Sequence, residues 1–519
     1  VQQQKEAPAP AMPAGHDSIR ETRAAFDSWG WVDTVVVILL TLAALAVRLH
    51  RLDYRGMWTD EFHTLGAVLL PWGEMVRERM LAGHLPTYFL LMKWWAGITG
   101  TTDWALRFPS AVTGALIVPA AAFFARRFVS RRFLAVLLGI ACINGTVVWA
   151  SQEARMYGML CVAATLAHWL YLRTLLERGW KPWAAYYLAL LVAVSLQPVM
   201  FLAYFGHLAF SYRVRRTYPE HSKAAFRTAL ALLVVVLPLA IAFGGYQQKR
   251  SISLDISGVK DLFRDLARNV STLWKRTGLI AFGSAADTGW WRIATGTALI
   301  GCLVGLRLDW KRPDDTPASG ASDHAGRLFL RFCLAATIVP VAIVYFASLF
   351  VEHLIGVERY LIPITVPLWV LGIRGVVGLR GRWRDAMVVV CCALMIGGLV
   401  RQWADRGLGG REVVYHINRR ALRDDAIICR ASPTMTLMVK HYSARNLNLC
   451  AVPEALSDGE AFEQLFECVE GNSRLWLVEY RGKGQRLNKL LFAHPDVFEL
   501  LKEIEIGSAK ALLIRIKHP

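Results

Sequence analysis

Apolar runs dominate this chain. They approach the roughly 20 residues needed to cross a hydrocarbon core, and they recur from residue 31 to residue 401 with short polar segments between them. Candidate spans fall near 31–50, 106–125, 133–150, 157–176, 183–197 and 199–212, then near 228–243, 291–307, 328–350, 360–379 and 385–401, about eleven in all. Proline at Gln197-Pro198 predicts a kink or a re-entrant break between the two shortest runs. From about residue 402 the pattern changes. Short β-rich segments at 426–429, 475–479 and 512–516 alternate with helical stretches at 460–469 and 485–491. The expected architecture is therefore an all-α polytopic membrane domain over 31–401, followed by a small α/β domain over 402–519. Residues 1–30, rich in Gln, Ala and Pro, read as a disordered tail. Small residues at 43–46 resemble a signal-peptide cleavage site, but the apolar run is long for one and reads as an uncleaved signal-anchor.

The polar segments carry the orientation. The net charge of +19 suggests a polyanion partner, yet the basic residues sit in short clusters between apolar runs, so nucleic acid is not expected. The clusters are Arg126, Arg127, Arg131 and Arg132, then Arg173, Arg178 and Lys181, then Arg213, Arg215, Arg216, Lys223 and Arg227. Lys311, Arg312 and Arg327 follow, and Arg374, Arg380, Arg382 and Arg384 complete the set. Alternating spans put all five on one side, which the positive-inside rule makes cytoplasmic, together with the N-terminus. The expected setting is the inner (plasma) membrane with the C-terminal domain periplasmic. Within the long outer loop at 244–290, Val259, Leu262, Phe263, Leu266, Val270, Leu273 and Trp274 recur at helical intervals. That spacing suits a helix lying in the membrane interface, either a structural loop helix or a lid over a lipid-entry cleft.

Cysteine adds little. Six of nine lie in candidate spans, where they act as small apolar residues, and Cys429, Cys450 and Cys468 lie in the tail. An oxidising compartment favours Cys429 with Cys450, although sequence leaves the connectivity open. No CxxC pair or zinc-spaced His cluster is present.

Candidate chemistry concentrates on the outer side. After the first span comes Trp58-Thr59-Asp60-Glu61-Phe62-His63, and carboxylates beside hydrocarbon are costly unless solvated or used. Asp60 also suits a helix N-cap, and Glu61 the positive end of that helix. A second acidic site, Ser151-Gln152-Glu153-Ala154-Arg155-Met156-Tyr157, occupies a very short outer loop. It reads either as an ion pair at a turn or as half of a shared cavity. Gly83-His84-Leu85-Pro86-Thr87-Tyr88 and Leu106-Arg107-Phe108-Pro109-Ser110 lie between them. His84 alone is more often structural, and Arg107 either snorkels or faces a phosphate. Glu358-Arg359-Tyr360-Leu361-Ile362-Pro363 puts an Arg-Tyr pair at the outer mouth of a late span, suited to gripping an anionic head group.

Taken in order, WTDEFHT, HLPTYF, RFPS, SQEARMY and ERYLIP resemble the GT-C glycosyltransferases. The branch concerned holds the protein O-mannosyltransferases and the aminoarabinose and galacturonic acid transferases of lipid A. The resemblance covers most of 31–401. It implies transfer of a sugar from a polyprenyl-phosphate carrier to a lipid, glycan or protein on the extracytoplasmic face, with inversion. It also implies Asp60 as general base, with Glu61 and Glu153 as acidic partners, and a phosphate grip by Arg155, Arg359 and Arg107 with Tyr157 and Tyr360. His84 and Tyr88 would position donor or acceptor, and some relatives hold a divalent cation there. Leu85 and Gly83 depart from the family pattern, which leaves sugar and acceptor open. The alternatives are a transporter or flippase of a lipid-linked sugar, for which the sequence shows no obvious internal repeat and clusters its acids at the outer rim instead, and a non-catalytic assembly subunit.

Overall fold

The computed structural model describes residues 29–177, 179–247, 259–283, 289–310, 320–347 and 358–517, apart from 406, 408, 424, 431, 444–447, 454–455 and 481–484. The N-terminal tail lies outside the described residues, as do the side chains of 259–269 on which the interfacial-helix reading depends. The described elements are helices up to residue 420, and beyond it a five-stranded sheet appears.

Among the described residues, every candidate apolar run lies in helix, with a short 3-10 helix at Glu358–Ile364 opening the run at 360–379. Among the described residues, six helices are long and apolar enough to cross a membrane, or seven if one bent pair is a single span. Four candidate runs, at 183–197, 199–212, 228–243 and 291–307, are not among these; the first two lie in helices Trp180–Leu196 and Met200–Val214, which have only 17 and 15 residues, short of a hydrocarbon core. Gln197, held extended by the following proline, separates them. The multi-span membrane assignment stands.

Two broken helices shape the end of the bundle where the candidate motifs lie. Helix Asp103–Ala115 contains Pro109 and continues, after Leu116, as Ile117–Ala125. Helices Arg131–Ile143 and Gly145–Ser151 meet at a 48° bend. Asn144 caps the second arm of that bend and ties it to helix Val259–Phe282. Its Oδ1 accepts from the Val147 amide at 3.2 Å, and its Nδ2 donates to the Ile280 and Ala281 carbonyls at 3.3 and 3.0 Å. The fully buried Arg48 ties the first span to the bend, donating to the carbonyls of Ala141 and Cys142 (both 3.1 Å) and to Ser151 Oγ at 3.3 Å. These carbonyls end a helix and would otherwise lack partners. Residues 152–156 are thereby pinned between the first and second spans.

In the C-terminal region β1 (Ala426–Arg430), β2 (Asn448–Val452), β3 (Arg474–Tyr480), β4 (Phe498–Ile506) and β5 (Ala509–Ile516) form a sheet in the order β2-β1-β3-β5-β4. β1 pairs in parallel with β2 and β3, and β5 runs antiparallel to β3 and β4. Strand alternation gives two faces. Ile427, Cys429, Trp476 and Val478 join the core shared with the membrane helices, whereas Ile428, Cys450, Leu475 and Leu477 pack with Ala461, Leu465 and Leu491. This corrects the expected disulfide. Cys450 is in register with Ile428, so the neighbouring Cys429 points to the opposite face. Cys450 instead bonds Cys468 on helix Asp458–Val469, with Cα atoms 6.0 Å apart.

Candidate active site

Asp60 lies in the first turn of helix Thr59–Leu69, whose N-cap is Trp58. Asp60 is therefore not the cap. Glu61 reaches back instead, accepting from the Trp58 amide at 3.3 Å. The two adjacent carboxylates consequently take different directions.

Glu61 turns inward. Arg107 Nε and Nη2 donate to its two oxygens, both at 2.7 Å, and the Ala154 amide donates to Oε1 at 2.9 Å. Both side chains of the pair are fully buried. Burial alone would push the Glu61 carboxyl up, but the Arg107 guanidinium, with Arg55 and the Ala154 amide, holds it below its ordinary value. Arg107 also donates to the carbonyls of Leu52 and Arg55, at 3.0 and 2.6 Å. WTDE, RFPS and SQEARMY thus meet at one ion pair, and Glu61 and Arg107 spend their hydrogen-bonding capacity on holding them together.

Asp60 turns the other way and stays partly exposed. Its Oδ2 accepts from Arg359 Nη1 and, at 3.4 Å, from the Tyr157 hydroxyl. Arg359 Nη1 also donates to Tyr157 Oη at 3.0 Å, and the guanidinium lies 6.0 Å from the Tyr360 ring. Arg155, only 3% exposed, donates to the Asp60 carbonyl at 3.4 Å, while its Nε has no protein partner. Its guanidinium stands 5.7 Å from the Tyr157 ring and 5.8 Å from the Phe89 ring. A buried cation with an unused donor thus stands beside a partly exposed carboxylate, an arrangement chemically able to take an anionic group.

Glu153 is fully buried behind them, paired with Arg55 at 3.3 Å, and its Oε2 has no partner. Burial pushes its carboxyl up to about 8, against the pull of Arg55 and with the help of Glu61 and Asp60. A carboxyl raised on folding binds its proton more tightly than the unfolded chain does. Stability should therefore fall as pH rises from the ordinary carboxylate range to about 8. Glu153→Gln should narrow the difference in melting temperature between pH 5 and pH 8 in detergent, and an undiminished difference would assign the titration elsewhere.

His84 and Tyr88 flank the site through Phe89, with ring centroids 5.8 and 5.4 Å from it. Burial, then Arg155 and Arg79, pushes the His84 imidazole down to about 3, so it is neutral near neutral pH. Burial raises the fully enclosed Tyr88 phenol. Among the described residues no group of three or more His, Cys, Asp and Glu is arranged to hold a metal ion. Both Glu61 oxygens are already paired with Arg107, and Asp60 faces a guanidinium.

No family model matches the sequence, and no curated protein matches it. Among solved structures, the chain is similar to ArnT from Cupriavidus metallidurans in the apo state, at 12% identity and a TM-score of 0.44, over 93% of this chain and 98% of that one. The same protein bound to undecaprenyl phosphate gives 13% identity and a TM-score of 0.42 over the same 93% and 98%. An Archaeoglobus fulgidus oligosaccharyltransferase tethered with an acceptor peptide gives 10% identity and a TM-score of 0.46, over 87% of this chain and 70% of that one.

The structure adds residues that the sequence reading gave no role. Ser110 donates to the Arg155 carbonyl at 2.9 Å and fixes the loop that carries that cation. Arg79, 4% exposed, stands 5.1 Å from the Phe89 ring. The only sequence signal for Ser110 is its place in RFPS, and Arg79 lies among ordinary helix charges with nothing to single it out.

Proposed function

We propose that this chain is a membrane glycosyltransferase that moves a sugar from a polyprenyl-phosphate carrier to a lipid, glycan or protein acceptor on the extracytoplasmic side, with inversion. One observation carries the reading. The Asp60 carboxylate shares the Arg359 guanidinium with Tyr157, next to the partly unpaired, buried Arg155.

In this mechanism Asp60 takes the proton of the acceptor hydroxyl as that oxygen bonds to the anomeric carbon. The bond from that carbon to the phosphate oxygen breaks, and its electron pair leaves with the lipid phosphate. Arg155 and Arg359 stabilise the growing negative charge, with Tyr157 as a neutral donor beside them. A phosphate drawn to Arg359 competes with Asp60 for its guanidinium, so donor binding frees the carboxylate to act as base. Glu61 and Arg107 then serve as positioning residues, and Glu153 supplies a buried neutral acid behind the base. No step is assigned to a metal.

Purified protein in nanodiscs, given a panel of polyprenyl-phosphate sugars and mixed acceptors, should release free polyprenyl phosphate and a glycosylated product. Release by no member of the panel would argue against the proposal. Comparing surface lipids and glycans by mass spectrometry, with and without the protein, would name the sugar. Arg155→Ala should weaken donor binding about 10–100-fold, the value of a charge-assisted contact to phosphate at a buried site. Unchanged affinity would remove Arg155 from the phosphate site.

A further inference from the structure

The segment that delivers Asp60 is held from the C-terminal side of the chain. The Met57 amide, in a residue 3% exposed, donates to the Tyr442 hydroxyl at 2.7 Å. That hydroxyl in turn donates to Asp103 Oδ2 at 2.9 Å, so one buried oxygen has both its proton and a lone pair engaged. His441 Nε2 donates to Asp103 Oδ1 at 2.8 Å. Arg411, on helix Gly410–Arg420, donates to the carbonyls of Asp53 (2.5 Å) and Tyr54.

The two sides approach closely. A Cβ on Gly56 would lie 2.9 Å from Arg411 Cβ. Phe62 meets the Tyr442 and His441 rings edge-on at 6.1 and 6.3 Å. Helix Pro433–Tyr442, the β1–β2 connection of the sheet domain, therefore packs directly against the helix that bears Asp60.

We infer that the C-terminal domain is a positioning element of the active site, in which Tyr442 sets the place of Asp60 by bridging the Met57 amide to Asp103 on the second span. The domain is thus joined to the chemistry three residues from the base. Arg411 and His441 hold the same segment and the same carboxylate. The catalytic consequence rests on the function proposed above, whereas the clasp itself does not.

Hydrogen exchange on the full-length protein in nanodiscs separates the two. Tyr442→Phe keeps the ring and removes the bridge, leaving the Met57 amide without its acceptor. Exchange in peptides covering 53–65 should accelerate at least tenfold, while peptides from helix Tyr157–Leu176 and from β3 keep wild-type protection. Tyr415→Phe, an exposed hydroxyl in the same region, is the control and should leave both as in wild type. With the proposed donor, kcat of Tyr442→Phe should fall about 10–100-fold, as expected for a misplacement of about 1 Å, with donor KM within twofold. Wild-type exchange over 53–65 in Tyr442→Phe would overturn the inference, as would uniform loosening of every peptide. Should Tyr442→Phe fail to fold, Asp103→Asn is read by the same criterion. If wild type transfers no sugar while 53–65 still loosens, the clasp stands and the transferase proposal falls.

Discussion

Asp60→Asn should fold, bind donor and transfer almost nothing, with kcat about 10³-fold below wild type. The substitution keeps the shape of the side chain, and its carbonyl oxygen can still accept from Arg359 and Tyr157, the partners of Asp60 Oδ2. What disappears is the ability to take a proton, and positioned general bases contribute about 10²–10⁴-fold. Donor affinity should hold or tighten, because Arg359 no longer balances a carboxylate and is free for the phosphate. Turnover and donor binding measured on the same preparation decide it. Undiminished turnover would remove Asp60 as base, and equal loss of binding and turnover would make it a structural residue.

Arg107→Met should have the largest effect on stability. It strands the Glu61 carboxylate in a site where both side chains are fully buried. Removing one partner of a buried pair typically costs about 3–5 kcal/mol, because the remaining charge has no solvent and has lost its hydrogen-bonded counter-ion. Three backbone groups add to the loss here. The carbonyls of Leu52 and Arg55 lose Arg107 as donor, and the Ala154 amide bonds a carboxylate no longer held in place. The double replacement Glu61→Gln with Arg107→Met should be less damaging than Arg107→Met alone, since no unpaired charge remains. Melting temperatures in detergent test this. Additive losses would mean that the two side chains act independently.

Much of the scaffold was legible because membrane helices and sheet strands announce themselves by local hydrophobic period. Among the described residues every apolar run lies in helix, and 426–429, 475–479 and 512–516 fall within β1, β3 and β5. Span number was harder, since apolarity alone admits a helix such as Met200–Val214, whose 15 residues fall short of those long enough to cross. The disulfide depended on strand register, which decides the face a cysteine occupies and leaves no local trace.

The site shows the same division. The motif segments were visible, and the structure brings Asp60, Glu153, Arg155, Tyr157 and Arg359 together. The opposite orientations of Asp60 and Glu61 were not visible, because they depend on which residue caps the helix and on Arg107 arriving from the second span. Arg359 meets Asp60 across 299 residues and Tyr442 meets Met57 across 385, separations at which single-sequence patterns carry no signal. Arg107 drew attention as a cation near an outer edge, and its pairing with Glu61 explains its place without a ligand.

The function proposed here requires the Asp60 carboxylate to open to the outside, opposite the basic loops. His63, exposed on the same helix, offers a position to probe this. A His63→Cys variant, compared with wild type as background, should react with a membrane-impermeant maleimide added to intact cells whose outer barrier is open. Labelling only after the inner membrane is permeabilised would place the site in the cytosol and contradict the account.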